Sequence, residues 1–310
     1  MNVAALPLAE LECRLNQNGL WLRTGPFVSR IQTTIRSVAA DISLLYADYP
    51  LEDFGAEAHA FADFHIQIAQ PTNLRRWFKP QAMFLFDGAS PFKPLPLDQA
   101  FPLLEWGLNW CVSAHANDLL IIHAAVIEKN GFAAILPAPP GSGKSTLCAA
   151  LVQRGWRLLT DELALVRLTD GRLIPLPRPV SLKNQSIDIL RDYAPAAVFS
   201  RPVSDTLKGT VAHMQPPCNS VARAQEAASA AWVIFPKYQA DATTRLEPVS
   251  QSRTFMRIAD NSFNYSLLGT RGFDTLTKLV GSCLCYDFTY SNLDEAVALF
   301  NSLPTDNIPK

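Results

Sequence analysis

Ala138-Pro139-Pro140-Gly141-Ser142-Gly143-Lys144-Ser145 is the stretch whose reading decides the fold. It follows an apolar strand candidate at 131–136 and opens a helix candidate at 144–153. In that setting the glycines let the backbone curl so that successive N–H groups point at an anion. The helix N-terminus behind them adds partial positive charge. The pattern predicts a phosphate-binding loop formed by Pro140, Gly141, Ser142, Gly143, Lys144, Ser145 and Thr146. Lys144 would reach the β- and γ-phosphates, and the Ser145 hydroxyl would sit on Mg²⁺. The usual G-x-x-x-x-G-K-[ST] pattern begins with glycine where this chain has Ala138, a change tolerable if φ stays negative there.

Two apolar runs, 119–128 and 131–136, are joined at Lys129-Asn130-Gly131 and read as a hairpin feeding the loop. The doubly wound nucleotide folds reach their loop strand within a parallel sheet instead. His123 lies in the first of these strands. It is either a hydrogen-bonded core residue or, so near a phosphate site, a catalytic one. Past the helix, Arg154-Gly155 supplies a stop, and 156–160 reads as a strand expected to lie beside the loop strand. It ends on Asp161-Glu162, seventeen residues after Lys144. One carboxylate can hold Mg²⁺ and the other can take the proton of an incoming nucleophile. Neighbours on a strand point to opposite faces, so both acids reach one site only if the chain turns there. The alternative is a surface acidic pair capping the next element. Residues 163–168 and 172–176 then read as a second hairpin.

Residues 1–95 predict a smaller α+β region with strands at 19–23, 27–33, 64–69 and 83–86, and 96–310 predict the nucleotide domain. The proline-rich stretch 91–96 reads as an irregular, stiff connector. A helix over 97–115 carries Leu97, Phe101, Leu104, Leu108 and Cys111 on one stripe, widened by Leu103, Trp106 and Trp110, which implies cover on two sides. Residues 201–213, with Arg201, Lys208, Gly209 and His213, lack a periodic apolar face and read as a mobile lid. Strands at 231–235, 244–249 and 284–289, helices at 251–259 and 272–283, and a final helix capped by Asn292 and Glu295 complete the chain. Arg178, between two prolines, offers a rigid phosphoryl clamp or plain surface charge, and Lys183 is a further available cation. Asn261, Asn264 and Tyr265 could recognise a base or cap a turn.

A net charge of −1 with no basic run gives no field to attract nucleic acid or an anionic membrane. With no signal-peptide pattern and no apolar run of spanning length, a cytoplasmic protein is expected. Six scattered cysteines do not form a disulfide framework, and Cys283 and Cys285 lack the second pair that a metal site requires.

His123-Ala124-Ala125-Val126, the glycine-rich loop and the run 151–162 together resemble the catalytic core of HPr kinase/phosphorylase. Segments 178–183, 208–213 and 259–265 are similar to the HPr-kinase-related proteins called HprK-related kinase A, extending the likeness over most of the chain. The resemblance implies an α/β fold with a phosphoenolpyruvate-carboxykinase-like P-loop core and a mixed, β-rich sheet. It implies an ATP- and Mg²⁺-dependent kinase acting on a hydroxyl of a protein or peptide. Asp161 would be the general base and Glu162 the residue near Mg²⁺, with Lys144 and His123 completing the catalytic group. Ala138, Ala124 and Glu162 depart from the family's Gly, Gly and Asp. The loop by which that family grips HPr is missing, which points to another acceptor. The subgroup suggests a PqqD-type peptide-binding chaperone as partner, and the wider family a homo-oligomer. A small-molecule P-loop kinase and a non-catalytic ATP-sensing adaptor are the other readings. A sensor needs one acid for Mg²⁺, whereas a kinase needs a base as well.

Overall fold

The computed structural model describes residues 1–52, 61–72 and 78–304. Its layers follow from where apolar residues recur. Leu11 and Leu15 bury one face of α1 (Leu8–Asn16), and Val38, Ala39, Ile42 and Leu45 do so for α2 (Arg36–Leu45). These helices pack on a five-stranded sheet of β1 (Leu20–Thr24), β2 (Phe27–Thr33), β3 (Phe64–Ala69), β4 (Gln81–Phe86) and β5 (Leu95–Pro96). The proline-rich stretch is thus not wholly irregular. Leu95 and Pro96 pair with Ala82 and Gln81 at the sheet edge, where a missing proline N–H is harmless. Helix α3 (Ala100–His115) is covered on two sides, as its wide stripe predicts. Phe101, Leu104, Leu108 and Cys111 join the N-terminal core together with Ile121, Leu163 and Leu165 of the central sheet.

The central sheet begins with the expected hairpin, β6 (Leu119–Lys129) and β7 (Phe132–Pro137), turned at Asn130 with φ 56°. Helix α4 (Lys144–Gln153) follows over the residues its sequence predicts. Next come β8 (Arg157–Thr160), β9 (Leu163–Arg167) and β10 (Leu173–Ile174). Later strands are β14 (Ser229–Tyr238), β15 (Arg245–Pro248) and β16 (Leu284–Tyr290). The order is β10-β9-β6-β7-β14-β16-β15, with β8 also beside β6. Only β7–β14 and β14–β16 are parallel, so the sheet is mixed and the fold is α/β.

Both faces of this sheet are buried, and β6 serves both by alternation. Ala125 and Ile127 face a layer holding α4, α5 (Gln185–Tyr193) and α10 (Leu293–Asn301). Ala124 and Val126 face α7 (Gln251–Asp260) and α9 (Thr270–Gly281), with the short α8 (Tyr265–Leu268) between them. Helix α6 (Cys218–Ala222) lends Val221 to the N-terminal core. A small sheet, β11 (Val180–Lys183), β13 (Gly209–Met214) and β12 (Val203–Thr206), lies against α4 and α5.

Two expectations are corrected. Strand β8 does not lie beside the loop strand; it pairs with β6, and β14 takes the free side of β7. Residues 201–213 are not an unstructured lid but largely the β12–β13 hairpin. It is held on β11, with Val211, Ala212 and Met214 buried. The apolar residues of β13 run consecutively because both faces are covered, which hides the strand from a search for alternation. No helix among the described residues is long and apolar enough to cross a membrane.

Candidate functional site

The loop leaves β7 through Pro137 and Ala138. Ala138 is buried and keeps a negative φ, so the missing glycine costs no strain. Pro139, Pro140 and Gly141 are exposed, while Ser142, Ser145 and Thr146 are half-buried and Lys144 is buried. Gly143 forms the N-cap of α4 at φ 86°, a conformation costly for any other residue. Its carbonyl accepts from Tyr290 Oη at 2.9 Å, and Ser142 O accepts from Tyr238 N at 2.8 Å. These tyrosines end β16 and β14, on the strand-terminal edge where α/β sheets gather ligands. Sequence reading missed both, since 147 residues separate Tyr290 from Gly143. A Cβ on Gly143 would lie 2.5 Å from Tyr290 Oη and 2.8 Å from Tyr238 Cβ. Gly143→Ala should therefore lose about 1–3 kcal/mol through backbone strain and overpacking. A thermal melt matching the wild type would show that the loop yields freely.

The two acids meet the loop at a break in an edge. Strands β8 and β9 both run antiparallel to β6, pairing with its residues 126–128 and 119–123. Between them Asp161 and Glu162 form a bend, and Glu162 O accepts from Ala124 N at 3.2 Å. That bend is the turn which adjacent acids need to serve one site. Lys144 Nζ donates to Asp161 O at 3.0 Å and lies 3.9 Å from Glu162 Oε2. His123 Nε2 is 3.0 Å from Glu162 Oε2, and Lys183 Nζ is 3.9 Å from Glu162 Oε1. The structure thus gathers Lys144, Asp161, Glu162 and His123 at the start of α4 and adds Lys183 to them.

Electrostatics separate the acids. Burial raises the Asp161 pKa to about 6, with Glu162 adding to the rise and Lys144 and Lys183 opposing it. Burial also works against the charge of Glu162. The His123 hydrogen bond and the two lysines outweigh it and hold Glu162 well below the usual carboxylate range. With Glu162 ionised, His123 Nε2 must be the donor. Asp161 Oδ2 accepts from Ser181 N at 3.3 Å, while the buried Oδ1 has no hydrogen-bond partner among the described residues.

Other predicted residues fall elsewhere. Arg178 is buried against Asn109, with Glu105 Oε2 at 3.8 Å, so it is no surface charge and its cation is already matched. Arg201 is exposed, and Lys208 Nζ sits 5.3 Å from the Trp106 ring centroid. Asn264 is structural, because its side chain accepts from Ile121 N and donates to Leu119 O. It seals the edge of β6 after β7 has diverged, and this brings Phe263 to 5.9 Å from His123. Among the described residues no three His, Cys, Asp or Glu side chains cluster as an all-protein metal cage. One or two carboxylates with the Ser145 hydroxyl suit Mg²⁺, which takes its other ligands from water and phosphate. No protein-family model and no curated protein matches the chain.

Proposed function

We propose that the protein is an ATP- and Mg²⁺-dependent kinase with an HPr-kinase-like, phosphoenolpyruvate-carboxykinase-like P-loop core. It transfers the γ-phosphoryl group to a hydroxyl of a protein or peptide. The observation that carries this reading is geometric: the glycine-rich loop opens α4 so that buried Lys144 donates to Asp161 O and lies 3.9 Å from Glu162, and the bend at 161–162 turns both acids toward it. A carboxylate with a pKa just below neutrality is matched to general-base work.

In the proposed reaction the acceptor oxygen bonds to the γ-phosphorus and its proton passes to Asp161. The bond from that phosphorus to the β–γ bridging oxygen breaks, and ADP leaves. Lys144 and the loop N–H groups stabilise charge on the phosphates. Bound Mg²⁺, held by Ser145 and Glu162, would neutralise phosphate charge. His123 fixes the Glu162 carboxylate by its hydrogen bond, and Lys183 stands beside both. A PqqD-like chaperone that presents the peptide rests on the sequence resemblance alone. An ATP-sensing adaptor would carry the buried Asp161 as a cost with no use, which favours catalysis over sensing.

Incubation with γ-labelled ATP, Mg²⁺ and a pool of serine- and threonine-containing peptides should label peptide hydroxyls. Mg²⁺-dependent ATP binding without transfer to any alcohol would establish a sensor instead. Because the base works only when ionised, turnover should fall about tenfold per pH unit once the pH drops below about 6. A rate indifferent to pH across that range would exclude Asp161 as the base.

A further inference from the structure

A narrow cleft with about 20 Å³ of room, enough for one hydroxyl group or water, opens beside Asp161, away from the glycine-rich loop, between α3 and the small β11–β13 sheet. Its walls hold five buried polar atoms with no hydrogen-bond partner among the described residues: Trp106 Nε1, Asp161 Oδ1, Arg178 Nη1, Ser181 Oγ and His213 Nε2. The side chains behind them are largely inaccessible, with His213 1%, Asp161 4%, Arg178 8% and Ser181 9% exposed. Each such atom costs stability, and folded chains tolerate few. Five converging from four parts of the chain are explained if a ligand completes them.

From this convergence we infer that the cleft is the acceptor subsite of the proposed kinase and that it selects an uncharged, hydroxyl-bearing group. The assignment as acceptor subsite rests on the kinase reading; the binding chemistry does not. Asp161 Oδ1 accepts the hydroxyl proton. Trp106 Nε1–H and Arg178 Nη1–H donate to a neighbouring oxygen of the same ligand, and Ser181 can do either. Charge decides the rest. Arg178 is matched by Glu105 at 3.8 Å, and Lys144 and Lys183 face Glu162. His213 stays neutral, because burial and then the Arg178 and Lys183 charges push its pKa down to about 3. Lys208 exposes much of its side chain, yet its Nζ lies 5.3 Å from the Trp106 ring centroid, where burial and then the Lys183 charge lower its pKa. A carboxylate or phosphate in the cleft would meet Asp161 directly, and of the cations named here only Lys208, over the Trp106 ring, does not already face a carboxylate.

The test titrates the full chain, without nucleotide, with two uncharged alcohols, N-acetylserine N-methylamide and glycerol. Binding is followed at the Trp106 indole N–H resonance, assigned by its loss in Trp106→Phe. At least one alcohol should move this resonance to saturation, while N-acetylalanine N-methylamide and glycerate should not. Response to the serine derivative assigns a peptide source, and response to glycerol alone a small-molecule alcohol. Ser181→Ala should weaken that binding at least about tenfold yet melt no lower than wild type, since it deletes an unpartnered polar atom. A merely structural serine would melt lower and leave binding unchanged. No movement with either alcohol, or equal movement with the alanine derivative or glycerate, overturns the inference. Normal titration in a protein that neither binds ATP nor transfers phosphate would instead overturn the kinase reading.

Discussion

A Lys144→Ala variant is expected to lose at least about a hundredfold in phosphoryl transfer while keeping its fold. Lys144 is only 7% exposed, and its ammonium bridges Asp161 O and Glu162 at the start of α4. A charge held there is already oriented when the transferring group becomes more negative, so removing it costs about 3 kcal/mol or more in the transition state. The deletion also removes a cation that offsets the burial of both acids. Calorimetry with ATP and Mg²⁺, turnover with labelled ATP, and far-ultraviolet circular dichroism separate these effects. Unchanged affinity together with unchanged turnover would remove the loop from the proposed mechanism.

Asp161→Asn should dissociate activity from stability. The amide cannot take the acceptor proton, and loss of a general base typically costs about 10²–10⁴ in rate. ATP affinity should stay near wild type, because Glu162 rather than Asp161 faces Lys144 and Lys183 with its carboxylate. Stability should move the other way. The folded-state pKa of Asp161, about 6, exceeds the usual value of 3.8. The native state therefore holds the extra proton between those values, and wild-type stability falls as pH rises through them. Above that window the ionised, buried carboxylate is a burden of at most about 3 kcal/mol. Asp161→Asn escapes it and should melt higher than wild type at pH 8, with the gain vanishing near pH 4. A variant that melts lower at pH 8 would mean that the Ser181 contact outweighs the cost of burial.

What was legible in the sequence was local. The hairpin of β6 and β7, the helix bounds of α4 and the acid pair all follow from neighbours within a few residues, where turn chemistry and periodicity act. Pairing between distant strands leaves no such trace. That β8 joins β6 depends on β14 occupying the other side of β7, some seventy residues further on. The β12–β13 hairpin eluded periodicity for the same reason, because α4 and α5 cover Ala212 and Met214 on one face while Phe101 of α3 packs on His213 on the other. Helix α2, which the sequence reading did not place, shows the opposite case. Val38, Ala39, Ile42 and Leu45 spell a helical stripe in a segment whose β-branched residues also suit a strand. Within the site, Lys144, Asp161, Glu162 and His123 carried signals in residue type and spacing. Tyr238, Tyr290, Ser181 and Trp106 did not, since each owes its place to an element folded in from elsewhere.

Strand β6 has a consequence for how such a protein can change over time. It carries His123, pairs with the strand that launches the loop, and sets the bend that holds Asp161 and Glu162. The reacting apparatus is therefore fastened to one rigid beam. The neighbouring cleft is walled partly by Thr160, Asp161 and Glu162 of that sheet and partly by Trp106 on α3 and His213 on β13, which lie outside it. Substitutions at Trp106 or His213 would retune what the proposed site admits without disturbing the spacing of the groups proposed to react. If the proposed kinase reading holds, selection can act on preference and on chemistry separately, with change at Trp106 or His213 altering the first while β6 keeps the second.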